Sequence, residues 1–173
     1  MRLGTILLLA ISVNAFGQIN QDELKQKVRT TANQMGQLFL TGDHNRFVDF
    51  MYPKAVAKIG GKERIVKTLT DGQAQMERDG VKFKNVEFDE PSDIFEKEKT
   101  LQCIIPQIIT MKVRGGTLKS KASLFAISED NGQSWTFLDV SKKTYEQVKS
   151  IIPVFHSGLE IPTWPDPTFT PDR

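Results

Sequence analysis

Apolar residues recur at helical spacing in the first half of the chain and at alternate positions in much of the second half. Asn20 followed by Glu23 forms a capping-box pattern, which predicts a helix that begins there and ends at Gly42. A second, shorter helix is predicted to begin after Asp43. It ends before Pro53, because the residue that precedes a proline disfavours helical backbone angles.

The apolar period changes to two after a third predicted helix, Lys62 to Arg78. Alternating residues then predict antiparallel strands, with a shift of register near Val86. The predicted strands cover residues 81–88, 100–114, 117–128 and 135–141. A short helix capped by Thr144 is predicted to follow, through Ile152. Three helices followed by an antiparallel meander predict an α+β fold, in which a curved sheet wraps around the helices.

The longest predicted strand, residues 100–114, has apolar residues on both of its faces. Cys103 and Ile105 lie on one face and Ile104 on the other, so both faces are expected to be covered at least in part. Pro106 lies in the middle of the strand and cannot donate a ladder hydrogen bond. The proline therefore predicts an edge position or a bulge that bends the strand.

The first 17 residues are predicted to be a cleavable export signal. Arg2 gives a positive start, and residues 3–13 form an apolar stretch that is too short to span a bilayer. Small residues place the cleavage before Phe16 or, preferably, before Gln18. A buried amino-terminal strand or helix is the alternative interpretation. The mature protein is therefore expected to be secreted or periplasmic. No cysteine directly follows the apolar stretch, so no lipid anchor is expected, and no other apolar run is long enough to predict a membrane span.

The mature chain is predicted to form one domain over residues 18–152, followed by a proline-rich tail over residues 153–173. Five of the eight prolines lie at or after Pro153, which predicts an extended tail. Phe155, Trp164 and Phe169 are its predicted apolar anchors.

Few side chains are placed to act as nucleophiles, bases or metal ligands. Cys103 is the single cysteine, which excludes an internal disulfide, and its spacing from His44 and His156 does not resemble a zinc site. On one helix His44 and Asp49 would be about 140 degrees apart, so they would not pair as a base and its orienting acid. His44 follows the predicted cap Asp43 and is predicted to be an exposed residue at a helix start. No cofactor and no metal is predicted. The net charge of +2, from 23 basic and 21 acidic residues, does not indicate a nucleic-acid-binding protein.

Four short motifs lie at the joints between these predicted elements: Gly42-Asp43, Pro53 to Val56, Gly60 to Glu63 and Trp135 to Asp139. Together they resemble the nuclear transport factor 2-like superfamily, which includes ketosteroid isomerase and scytalone dehydratase. The resemblance covers roughly residues 20 to 145 and implies a cone-like curved antiparallel sheet wrapped around three amino-terminal helices. It also implies a ligand site at the mouth of the cone, between the helices and the concave sheet face, and a homodimer formed through the sheet.

Four residues are candidates for such a ligand site: Tyr52, Gln107, Trp135 and Asp139. Trp135, Phe137 and Asp139 share a predicted strand face, which places the carboxylate beside aromatic surface, where it could act as an acid or base. Tyr52 could donate a hydrogen bond to a ligand, and Gln107 interrupts an otherwise apolar face. Each has a structural alternative: Asp139 in solvent at a strand end, Tyr52 as a packing residue, and Gln107 as the partner of a bulge beside it.

Ser128, Asp130, Gly132 and Trp135 match the Asp-box pattern of sialidases. The pattern occurs once, in a chain too short for a propeller, so it is predicted to be a turn. In that turn Asp130 bonds to the backbone, Gly132 takes a positive φ, and Trp135 packs back over the loop. Glycan binding is the alternative interpretation of the motif.

The predicted function is binding without catalysis: an exported domain that binds a small apolar ligand or a partner protein. The alternative is an isomerase or dehydratase with Asp139 as base and Tyr52 as hydrogen-bond donor. That enzyme requires Asp139, Tyr52 and Gln107 to converge in one cavity. A third interpretation is a structural module whose proline-rich tail pairs with a second subunit.

Overall fold

The computed structural model describes residues 20–141 and 145–173, and within them helices precede an antiparallel sheet. The helices are α1 (Gln21–Leu40), α2 (His44–Phe47), α3 (Pro53–Ile59), α4 (Lys62–Arg78) and α5 (Tyr145–Ile151), with a 3-10 turn at Val48–Phe50. The predicted α+β class is confirmed, although four helices rather than three come before the sheet. The predicted signal peptide, residues 1–17, and the predicted cap Thr144 lie outside the described residues.

The additional helix is α3, which local sequence explains. Pro53 occupies the first helical turn, where its missing N–H costs no hydrogen bond. Gly60 ends the helix with a φ of 111°, a left-handed conformation that glycine adopts most readily. Just before α3, Tyr52 donates its backbone N–H to the carbonyl of Phe137 (2.8 Å), so the helix is joined to the edge of the sheet.

The described part of the sheet has six strands, all paired antiparallel, and it is not closed. The strands are β1 (Lys82–Phe88), β2 (Phe95–Lys97), β3 (Thr100–Val113), β4 (Gly116–Ser128), β5 (Thr136–Asp139) and β6 (Thr168–Pro171). The main order is β1-β3-β4-β5, with β2 beside β3 and β6 beside β4. The predicted shift of register is present in β1, between Phe83 and Asn85.

Both faces of the sheet are covered, as the alternation predicts. The first core lies between α1 and the sheet, and the sheet's main contributions to it are Val86, Phe88, Leu101, Cys103, Ile105, Leu124, Ala126, Trp135 and Phe137. The second core lies on the opposite face, where α5 and the tail cover Ile104, Phe125, Ile127, Leu138 and Val140. We call the face covered by α1 the helix side, and the face covered by α5 and the tail the tail side.

Pro106 lies neither on an edge strand nor at a bulge of its own strand, so that prediction is wrong. β3 runs between β1 and β4, and its pairing with β4 is regular through Pro106 and Ser123. On the other side of β3, the Pro106 carbonyl accepts a hydrogen bond from the Asp89 N–H (3.1 Å). There β1 has ended at Phe88 and β2 begins only at Phe95. The missing N–H of Pro106 therefore faces a break between two partner strands, where no ladder bond is required.

The tail packs against its own chain. The Gln102 amide donates to the Val154 carbonyl and accepts from the His156 N–H, both at 2.9 Å. Farther along, Trp164 Nε1 donates to Ser123 Oγ at 2.8 Å. The tail then crosses to the edge of β4 and pairs there as β6. No helix among the described residues is long and apolar enough to cross a bilayer.

Candidate functional site

Asp139 lies at the exposed end of β5 and is held in a turn. Its Oδ1 accepts hydrogen bonds from the Ser141 N–H (2.9 Å) and the Ser141 hydroxyl (2.7 Å). Phe137, which shares its strand face, and Trp135, which directly precedes β5, are buried in the first core. The carboxylate therefore stays in solvent beyond the aromatic surface, which corresponds to the structural alternative for this residue.

Tyr52 and Trp135 are both buried, but on opposite faces of the sheet. Tyr52 is 1% exposed and belongs to the second core, whereas Trp135 is 3% exposed and belongs to the first. Neither Tyr52 Oη nor Trp135 Nε1 has a hydrogen-bond partner among the described residues. A buried polar group without a partner costs roughly 1–3 kcal/mol. The two unpaired atoms lie in different cores, so they cannot contact the same ligand.

Gln107 lies on the helix side, paired with Phe88 of β1 and Ala122 of β4. It is half-buried, and its side chain makes no hydrogen bond to another residue in the described part of the chain. Since Tyr52 is on the tail side and Asp139 is in solvent, the three residues do not converge. The geometry therefore gives no support to the isomerase or dehydratase alternative.

His44 is buried, at 4% exposure, so its prediction as an exposed residue is wrong. Helix α4 folds over it: Nδ1 lies 3.0 Å from the Thr70 hydroxyl and Nε2 lies 2.8 Å from Gln73 Oε1. Its ring also lies 6.1 Å from that of Phe39. Both ring nitrogens have structural partners, so His44 fixes α4 against α2.

Cys103 is buried in the first core, and burial raises the pKa of its thiol to about 12. The thiol therefore stays protonated near neutral pH and packs as a small apolar group. Among the described residues, no three His, Cys, Asp or Glu side chains are grouped closely enough to hold a metal ion.

The Asp-box residues form the predicted turn. Asp130 Oδ1 accepts from the Ser134 N–H (2.9 Å), and the Ser128 hydroxyl accepts from the Gly132 N–H (2.8 Å). Gly132 has a φ of 82°, as expected. Hydrogen bonds from the Ser134 hydroxyl and N–H, with a smaller contribution from Ser128, lower the pKa of Asp130 to about 2. The ionised carboxylate is therefore part of the turn.

We expect Asp130→Asn to remove an acid-sensitive part of the stability. Because the folded pKa lies below the unfolded value, the carboxylate stabilises the fold above about pH 4, and this is lost as the pH falls towards 2. The carboxylate is partly exposed, so the expected contribution is about 1–2 kcal/mol. Urea unfolding should show a larger difference between wild type and variant at pH 6 than at pH 2.5. Equal differences at the two pH values would contradict this role.

A partly open apolar surface lies on the outer half of the sheet. Residues of β3 up to Ile105 are buried, whereas all those from Pro106 to Val113 are half-exposed. On the helix side of this outer half, cross-strand pairing aligns one residue from each of four strands: Phe83, Met111, Leu118 and Phe169. We call these four residues the apolar row. Adjacent strands are about 4.8 Å apart, so the row is about 14 Å long.

The apolar row has one end under the helices and one end in solvent. The Phe83 ring packs edge-on against that of Phe39 in α1, with centroids 4.8 Å apart. At the other end, Phe169 is 51% exposed. Sequence alternation places Phe83, Met111 and Leu118 on strand faces, but the row exists only once the register of all four strands is known. Comparison of the chain with family models, with curated proteins and with solved structures finds no match.

Proposed function

We propose that the protein is an exported, non-catalytic binding domain, and that the apolar row holds a small apolar ligand. The single observation behind this proposal is the half-exposed row of four large apolar side chains on the helix side. Export is proposed from the sequence of residues 1–17. A cone-like curvature of the sheet, as in the nuclear transport factor 2-like resemblance, would make this surface concave and is part of the same proposal.

The shape and chemistry of the row fit an acyl chain or a fused ring system. A length of about 14 Å matches an extended chain of roughly ten carbons. Each side chain is already partly covered, so binding would remove only the remaining apolar area from water. At about 25 cal/mol per Å², this gives on the order of 1 kcal/mol for each residue. Four such contributions favour weak to moderate affinity for a ligand of this size.

Leu118→Gln is expected to weaken this binding, and Thr117→Gln provides the matched control. The two residues are neighbours on β4, both half-buried, but they lie on opposite faces of the sheet. Titration with the fluorescent probe N-phenyl-1-naphthylamine, and thermal shifts with palmitate and cholesterol, measure the binding. We expect Leu118→Gln to raise the dissociation constant about fivefold and Thr117→Gln to leave it unchanged.

The proposal fails if the wild-type protein binds neither the probe nor the lipids. It also fails if the two variants weaken binding equally, because the ligand would then lie elsewhere. A second candidate occupant is another copy of the chain, which the exposure of Phe169 at the sheet edge favours. Sedimentation would show that occupant as a dimer that Phe169→Lys dissociates.

A further inference from the structure

The outward side of α1 is charged in the first part of the helix and uncharged in the second. Charged residues in its first part form ion pairs: Lys25 Nζ lies 2.8 Å from Asp93, and Arg29 lies 3.4 Å from Glu90. From residue 30 to residue 42 the chain contains no charged residue, although 25% of the whole chain is charged. Exposed helix faces ordinarily carry charges, and depletion of charge is typical of binding surfaces.

A groove of about 750 Å³ lies over this uncharged stretch. One wall is formed by the exposed amides of Asn33, Gln34 and Gln37 on α1. The opposite wall contains Arg46 of α2 and Phe50 of the 3-10 turn. None of the three amide side chains bonds to another side chain in the described part of the molecule. The volume falls within the range of roughly 300–1,000 Å³ that is typical of small-molecule sites.

The lining residues exclude several ligand classes. They include no carboxylate, so the groove has no anionic group to bind a metal ion or an ammonium group. Their one cation, Arg46, already lies 3.7 Å from Asp43 and would attract a polyanion only weakly. Amides both donate and accept hydrogen bonds, as sugar hydroxyls do. Leu38 and Phe50 supply apolar surface of the kind that packs against the C–H face of a sugar ring.

We propose that this groove binds a neutral oligosaccharide through the Asn33, Gln34 and Gln37 amides, with a sugar ring packed on Phe50. This site is separate from the Asp-box turn, which adjoins Leu24 in the first half of α1. It is also independent of the apolar row, because the groove is formed by helices alone.

Titration of the ¹⁵N-labelled mature protein with maltohexaose, cellohexaose, xylohexaose and chitohexaose tests the proposal. We expect at least one of these sugars to shift the side-chain NH₂ signals of Asn33, Gln34 and Gln37. The double variant Gln34→Ala/Gln37→Ala should raise its dissociation constant about tenfold, since two hydrogen bonds are lost. Gln26→Ala is the matched control, because Gln26 is an exposed amide on the same helix outside the groove.

The proposal is overturned if none of the four hexasaccharides shifts those amide signals. It is equally overturned if the double variant binds as tightly as wild type, or if Gln26→Ala weakens binding as much as the double variant does. Alanine has the highest helix propensity, so the variants should keep α1 folded. An unchanged amide spectrum outside the groove confirms that they do, and separates a lost contact from a lost fold.

Discussion

Gln102→Leu should lower the free energy of unfolding by about 3–5 kcal/mol, a large part of the stability of a domain of this size. Gln102 is fully buried, and its amide makes three hydrogen bonds across the tail side of the sheet. Leucine fills a similar volume but leaves the Val154 carbonyl and the His156 N–H without their partner. Each unsatisfied buried group costs roughly 1–3 kcal/mol.

Gln107→Leu is the matched control for this prediction. Gln107 is on the same strand, but it is half-exposed and has no side-chain partner among the described residues. Its replacement should change the stability by about 0.5 kcal/mol or less. Urea unfolding gives both values from the transition midpoint and slope. A loss for Gln102→Leu no larger than that of Gln107→Leu would show that the amide does not hold the tail.

Alternation alone was enough to predict β3 and β4, because each face of a covered strand requires its own apolar residues. The same pattern could not show which of the two glutamines on β3 has the structural role. Two of the three partners of Gln102 lie 52 and 54 positions later in the chain, in the segment that covers the tail side. No local sequence pattern around Gln102 indicates that a distant segment packs over it. Gln107 is the more conspicuous of the two in sequence, because it interrupts an apolar run.

The burial of His44 also depends on residues that are distant in the sequence. A residue next to a helix cap is ordinarily exposed, which is why the local sequence predicts exposure for His44. Its burial comes from Thr70 and Gln73, which α4 brings back over it from 26 and 29 positions away. The proline-rich sequence of β6 has no apolar alternation that would predict a strand. The strand forms by pairing with the edge of β4.

The sequence predicts which residues share a strand face, but not which residues align across neighbouring strands. Period two correctly places Trp135 and Phe137 together, and the first core contains both. Where a strand ends determines the environment of Asp139, and strand ends are poorly marked in sequence. The apolar row depends on the mutual register of four strands, one of which is β6. Register is set by turns and long-range packing, so the row emerges only from the folded structure.

Gly132→Ala should destabilise the protein by about 2–4 kcal/mol, through two separable causes. Gly132 has a φ of 82°, and a non-glycine residue in that region costs roughly 1–2 kcal/mol. A Cβ at this position would also lie 2.4 Å from Leu24 Cδ2, a side chain packed in the first core. Leu24 lies in the first turns of α1, so relief of the clash must move the packed Leu24 side chain, the Asp-box turn or the helix.

Gly80→Ala separates these two causes, because Gly80 has a nearly identical φ of 83° but no atom within 4 Å of the added Cβ. It should lose only the backbone part, about 1–2 kcal/mol. The difference between the two variants in urea unfolding then measures how tightly the Asp-box turn packs on α1. Equal losses would mean that Leu24 moves aside freely and that the turn is only a connection between β4 and β5. A larger loss for Gly132→Ala, which we expect, means that this turn fixes α1 on the sheet. The same helix forms one wall of the groove over residues 30–42.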